Sequence, residues 1–390
     1  MKGKIKVIEG VYPVTRAEAV YVDDETTLNQ VIEGNMFGGV SREEFDIAIG
    51  QLNSKKITPS DLSQNLLEII TGDASVVSCD EHNYKSNAEI PLYIQTYVNE
   101  HNKALHPKVL YFPDRFANFK FFMCYSPMPE RYENPCIAVA NTPLKWYMPQ
   151  YHLKFNNPLD SIEDITSSEQ LPVGYNSDPH LVFNTDLNRL ECWYRYYCSS
   201  DGQILETIYR RTTEDGKIWT PREKLYQVSS SNGIQIVCPT VLYENGIYKI
   251  WVSCDRQKIK YYESANGKDW IFKSDTNIYA WHFDIIKTDL GYEFVGGGGS
   301  VVHAVSSDGL LWTDKKVILG RGKPYSWDSS GCYRPSLLKF DGKYYLYYSV
   351  YNGADVIYIG LSISENEDIT TLRGLPYSSI YHMNTENNRY

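Results

Sequence analysis

Nine residues of this sequence have the types and positions to hold a ligand: His106, Asp178, His180, Trp281, His282, Trp327, Asp328, Tyr333 and Arg334. They mix flat aromatic faces with charged and hydrogen-bonding groups. That mixture suits a sugar, whose apolar ring faces stack on aromatics while its hydroxyls need polar partners. Each also has a plainer use. His106 and His180 can brace neighbouring strands, Arg334 can pair with Asp178 across a channel, and Trp281 can belong to a sheet core. Cleaving a glycosidic bond asks for two carboxylates facing each other across the sugar. Asp178 is one acid, and Asp328 or Glu133 could supply only a displaced partner, so no residue is assigned a catalytic role. No cysteine pair has CxxC spacing and no Cys/His cluster has zinc spacing, so neither a metal nor a cofactor is expected.

These residues cluster at the openings of repeated units. Each unit opens with a residue, usually a proline, and an apolar run: His106-Pro107-Lys108-Val109, Asp178-Pro179-His180-Leu181, Cys238-Pro239-Thr240-Val241 and Arg334-Pro335-Ser336-Leu337, with Trp281-His282-Phe283-Asp284 as a weaker match. Proline is tolerated at the first residue of a strand. A second element closes the units: Thr142-Pro143-Leu144-Lys145-Trp146, Asp215-Gly216-Lys217-Ile218-Trp219, Asn266-Gly267-Lys268-Asp269-Trp270 and Asp308-Gly309-Leu310-Leu311-Trp312. Asn-Gly and Asp-Gly read as hairpin turns, where glycine supplies φ > 0. Blades of four strands recur at about 40–50 residues, and the tryptophans keep that step apart from an insertion near 150–172. Strand-like runs such as Lys120–Tyr125, Glu191–Tyr197 and Lys343–Tyr348 fill the space between the two elements. Gly296–Gly299 reads as a bulge or tight bend inside the fourth unit. The architecture implied is an all-β, five-bladed β-propeller over residues 96–390, with the openings of its inner strands facing a central mouth.

The rest of the chain reads differently. Residues 1–40 look like an attachment segment. Over 41–72, Ser41 and Glu44 have capping-box spacing and Thr58-Pro59 starts a second helix. Phe45, Ala48, Ile49 and Leu52, then Leu62, Leu66, Ile69 and Ile70, form narrow apolar stripes. Such short helices are marginal alone, so 41–72 is read as an oligomerisation segment and 73–95 as a linker. The net charge of −10 and the absence of a basic run argue against nucleic acid. No run suits a membrane span and no signal peptide opens the chain, so folding in a cytoplasm is expected. The 33 tyrosines fit a sheet-rich protein with some aromatic recognition surface. The eight cysteines are read as buried thiols.

The repeat resembles the five-bladed propellers of glycosidases acting on arabinans, xylans and fructans. A fuller resemblance is to receptor-binding proteins and tail fibres of phages with Gram-positive, staphylococcal-like hosts. It rests on Leu105–Pro113, Met123–Pro127 and Tyr132–Ala140, and on Ile57–Ser63 in the helical stretch. This second resemblance implies a homotrimer in a virion tail or baseplate, assembled in the host cytoplasm beside other tail proteins. Its heads would bind cell-wall polysaccharide such as teichoic acid. The glycosidase resemblance implies an alternative, a glycoside hydrolase acting on a polysaccharide. It expects a base where His106 stands and an acid near the third inner strand, which Cys238-Pro239 opens.

Overall fold

In the computed structural model, the structure describes residues 84–98, 102–128, 133–231, 233–254, 257–352 and 356–384. The expected attachment and helical segments, and with them the basis for a trimer, lie outside these residues. The chain divides into a unit up to Glu81 and a second unit from His82 onward, and only the second is described.

That unit contains five antiparallel sheets of four strands, each in simple meander order. Blade one is β1 (Ala104–Phe116), β2 (Phe119–Pro127), β3 (Cys136–Ala140) and β4 (Trp146–Tyr147). Blade two is β5 (Tyr175–Asn184), β6 (Arg189–Ser200), β7 (Gln203–Thr213) and β8 (Glu223–Ser230). Blade three is β9 (Val237–Glu244), β10 (Ile247–Ser253), β11 (Lys258–Ser264) and β12 (Ile271–Tyr279). Blade four is β13 (Phe283–Thr288), β14 (Gly291–Gly296), β15 (Val301–Ser306) and β16 (Thr313–Leu319). Blade five is β17 (Cys332–Phe340), β18 (Lys343–Asn352), β19 (Val356–Ser364) and β20 (Leu372–Gly374). Each inner strand packs against the next, and β17 returns to β1, which closes the ring. The apolar core lies between blades, as in the Leu181, Leu190, Tyr194 and Phe122 cluster that joins blades one and two.

The closing element of each repeat is an inter-blade dock. In blade three the Asn266 side chain accepts from Lys268 N and Asp269 N, and in blade four the Asp308 side chain accepts from Leu310 N and Leu311 N. These are longer loops than the two-residue hairpins expected from the sequence. The glycines still take positive φ, 78° at Gly267 and 76° at Gly309. Their missing side chains admit a tryptophan of the preceding blade: a Cβ on Gly309 would stand 2.8 Å from the Trp251 ring, and one on Gly267 3.0 Å from Trp193. Trp251 Nε1 then donates to Gly309 O at 2.8 Å.

Ring closure involves no strand exchange. Instead the segment after Tyr84, read from sequence as the end of a linker, lies along blade five. Glu89 N donates to Leu375 O, Leu92 N to Ile359 O, and Gly374 N to Lys85 O. Gly374 permits the approach, since a Cβ there would lie 1.9 Å from Asn87 O and 2.4 Å from Ala88 N. Gly374→Ala is therefore expected to lift this segment and destabilise the propeller by about 1–3 kcal/mol, the scale of an overpacked contact. An unchanged urea midpoint would show that the segment does not close the ring.

Candidate functional site

Three inner strands open on the same local device. His106, Asp178 and Cys238 each precede a proline and each take left-handed φ, at 53°, 52° and 50°. A residue before proline ordinarily sits in the β region, and a non-glycine in this conformation is strained. At each opening the ladder register breaks, between Leu105 and Lys108, between Ser177 and His180, and between Val237 and Thr240. The pre-proline residue is thus released from strand pairing.

In blades one and two this releases His106 and Asp178, and blade four adds His282. One ligand atom from each of the three lies within 4.8 Å of the others, and all three side chains are buried. Among the described residues this is the one group of three His, Cys, Asp or Glu side chains so placed. His282 Nδ1 is 3.1 Å from Asp178 Oδ1 and His106 Nε2 is 3.8 Å from the same oxygen. Neither contact is aligned as a hydrogen bond, and among the described residues no aligned hydrogen bond reaches the buried His106 Nε2 or either ring nitrogen of His282. Buried polar atoms are normally satisfied. Imidazole nitrogens gathered unpaired around a carboxylate are the donor set of a divalent transition-metal ion, so the residues fit such a site. Sequence spacing could not reveal it, because the three ligands come from three blades.

The surroundings hold these groups in place. Asp178 Oδ1 also accepts from Arg334 Nη1 at 3.2 Å, the channel pairing allowed for in the sequence. Its Oδ2 accepts from Ser177 Oγ, which accepts in turn from Arg195 Nη1, and Arg195 is fixed by Glu206. Burial alone would raise the Asp178 pKa, but the His282 and His106 imidazoles and Arg334 hold it well below the usual carboxylate range. Burial lowers His282 to about 4, so its ring is neutral at pH 7 and can ligate. His106 Nδ1 lies 2.8 Å from Ser126 Oγ and 3.1 Å from Glu133 Oε2. A proton on Nδ1 serves these partners and leaves the Nε2 lone pair for the cluster, the usual way an outer carboxylate orients a ligating histidine. Glu133 sits at φ 39° just before β3, a position no periodicity marked.

Tyr333 completes the constellation, its ring 4.3 Å from His282 and 5.5 Å from His106 between centroids. The other expected residues have partners within the fold. His180 is buried, with Nε2 against Val241 O at 3.1 Å, bracing blade two on blade three. Trp281 packs on the core between blades three and four. Trp327 donates to Ala88 O and stacks on Tyr348. Asp328 accepts from Asn87, Tyr348 and Ser326. Trp327 and Asp328 thus clamp residues 87–88, because the connection before β17 folds back onto them. Cys238, at the position equivalent to Asp178, bonds through its sulfur to Phe283 N and O. Burial pushes its thiol up to about 12. No disulfide links the seven described cysteines, all of them buried.

No family model and no curated protein matches the chain. Among solved structures, it is similar to an N-acetylgalactosamine deacetylase from F. plautii in complex with blood group B trisaccharide, at 15% identity and a TM-score of 0.54, over 75% of this chain and 93% of that one. It is also similar to an arabinanase from Bacillus subtilis, at 13% identity and a TM-score of 0.48, over 67% and 94% of the two chains. The chain shares its fold with five-bladed propellers found among carbohydrate-active enzymes.

Proposed function

We propose that the propeller mouth acts on carbohydrate as a hydrolase, removing an acyl group from an amino sugar with a divalent metal ion held by His106, Asp178 and His282. The observation that carries this reading is the gathering of buried imidazole nitrogens without aligned hydrogen bonds around Asp178. The fold shared with an N-acetylgalactosamine deacetylase supports the substrate class. When bound, such an ion makes its water acidic near neutral pH and polarises a carbonyl. The chain's own residues would divide the remaining work. Asp178 stays ionised beside Arg334, His282 stays neutral, and Glu133, with Oε2 3.1 Å from His106 Nδ1, orients that ring and can accept a proton.

The two carboxylates at the mouth, Asp178 and Glu133, favour glycosidic hydrolysis as a second reading. It asks one carboxylate to act as a protonated acid. Asp178 cannot fill that role, because Arg334 and the imidazoles keep it ionised. The acid would have to be Glu133.

The test incubates the zinc-loaded protein with N-acetylated oligosaccharides and with N-acetylated wall polysaccharide, and measures acetate, free amine and reducing ends. Acetate and amine in equal amounts, abolished by EDTA and restored by Zn²⁺, are expected. Reducing ends without acetate would assign glycosidase activity instead. Glycan binding with neither product would overturn the hydrolase and return the mouth to the recognition role that the phage resemblance implies.

A further inference from the structure

We infer that the Tyr333 hydroxyl donates a hydrogen bond to the acyl oxygen of the substrate, which makes it a catalytic residue of the hydrolysis. The inference rests on the acyl-hydrolase reading of the same site and adds the group that would meet the developing oxygen charge.

Four observations converge on it. Tyr333 stands where the β17–β18 register breaks, between Cys332 and Arg334, so its side chain is free of the ladder at the mouth. Its ring packs on both histidines of the cluster and on Tyr351, the last at 5.6 Å. No described residue hydrogen-bonds its hydroxyl. Its backbone is fixed on both sides. Gly298 N and Gly299 N donate to Cys332 O, Arg334 N donates to Ser349 Oγ, and Gly297 lies so close that a Cβ there would be 2.5 Å from Tyr333 O.

A phenol is a proton donor at neutral pH, and this one stands against the rings of both His106 and His282. A neutral donor held in place, bonded to no acceptor among the described residues, is poised for an oxygen brought by the ligand. Rigid donors aimed at developing charge lower the barrier to acyl transfer strongly, because they need no reorientation as the charge appears. The reaction consumes one water. The water oxygen bonds to the acyl carbon and the C–N bond breaks. Both protons of the water end on the nitrogen, which leaves as an ammonium, and the acyl group leaves as a carboxylate. In this scheme Tyr333 keeps its own proton throughout.

The test compares wild type with Tyr333→Phe, which removes only the hydroxyl and so should leave the melting temperature unchanged. Three quantities are read: zinc affinity, the affinity of the zinc-loaded protein for acetohydroxamate, and kcat on an N-acetylated oligosaccharide. Expected are unchanged zinc affinity, at least tenfold weaker acetohydroxamate binding, and kcat lower by roughly 10²–10³, the scale of losing one such donor. If the variant binds acetohydroxamate like wild type, the inference is overturned while the metal reading stands. If wild type takes up no zinc, the acyl-hydrolase reading fails and the Tyr333 assignment fails with it. Loss of zinc affinity in Tyr333→Phe alone would make Tyr333 a structural support of the histidines and overturn the catalytic role.

Discussion

Asp178→Asn is expected to lose zinc affinity by more than about a hundredfold and to destabilise the metal-free protein by about 3–5 kcal/mol. The amide keeps the shape of the side chain and can still accept from Arg334. What disappears is the negative charge. Arg334 is fully buried and has Asp178 as its ion-pair partner at 3.2 Å. Breaking a buried pair by removing one partner leaves an uncompensated charge, which sets the stability figure. Removing an outer partner of a metal ligand already costs about 10–100-fold in affinity, so removing a ligand itself should exceed that. Chemical denaturation in EDTA reads the loss of stability and calorimetric zinc titration reads the loss of affinity. A stable variant would mean that Arg334 finds another counter-charge. A destabilised variant with undiminished zinc binding would place the metal elsewhere.

The metal-free protein should lose about 3 kcal/mol of stability between about pH 6.5 and pH 4 through His282 alone. Burial lowers the folded pKa of His282 to about 4, against about 6.5 in an unfolded chain. Above that unfolded value the ring is neutral in both states and nothing is lost. Below it the unfolded chain gains a proton that the folded protein refuses, so stability falls by about 1.4 kcal/mol per pH unit. Once the pH passes below the folded value, the folded ring also protonates and this contribution levels off. His180, lowered by burial and by Lys108 and Arg334, acts in the same direction. The depressed pKa of Asp178 adds its loss only once the pH drops below the ordinary carboxylate range. Urea midpoints of wild type and His282→Asn, taken at neutral pH and at two steps down towards the folded pKa, would check this. The variant should show the shallower decline, and parallel profiles would mean that His282 is protonated in the folded state.

Much of the ring was legible in the sequence because each blade repeats two physical necessities. The pre-proline openings at His106, Asp178, Cys238 and Arg334 mark inner strands, and Gly216, Gly267 and Gly309 mark the loops that dock onto the preceding blade. The site was legible as a set of residues and not as chemistry. His106, Asp178, His282, Tyr333 and Arg334 do converge, but their types equally suited a sugar. Nothing local announced that two histidines and an aspartate from different blades would share one small volume. The partners of Trp327 and Asp328 were not legible, because residues 87–88 lie 239 to 241 positions earlier in the chain. Glu133 was legible only as a possible displaced acid, since its position beside His106 depends on the backbone just before β3 and not on any period.

The clasp between residues 85–92 and blade five has a consequence for how the protein is made. Its hydrogen bonds join the earliest described part of the chain to some of the last, as in Ser86 Oγ to Leu372 O at 3.3 Å, 286 positions apart. A ribosome delivers the first partner long before the second exists. Blades one to four can form as they emerge, each docking on its predecessor, but Ala88, Leu92 and Ile94 lack core partners such as Leu361 and Leu372 until blade five arrives. Closing so long a loop is slow, and apolar surface left waiting invites association with other chains. Synthesis stalled before residue 372 should therefore leave a soluble-looking arc with one sticky end, a natural substrate for a chaperone.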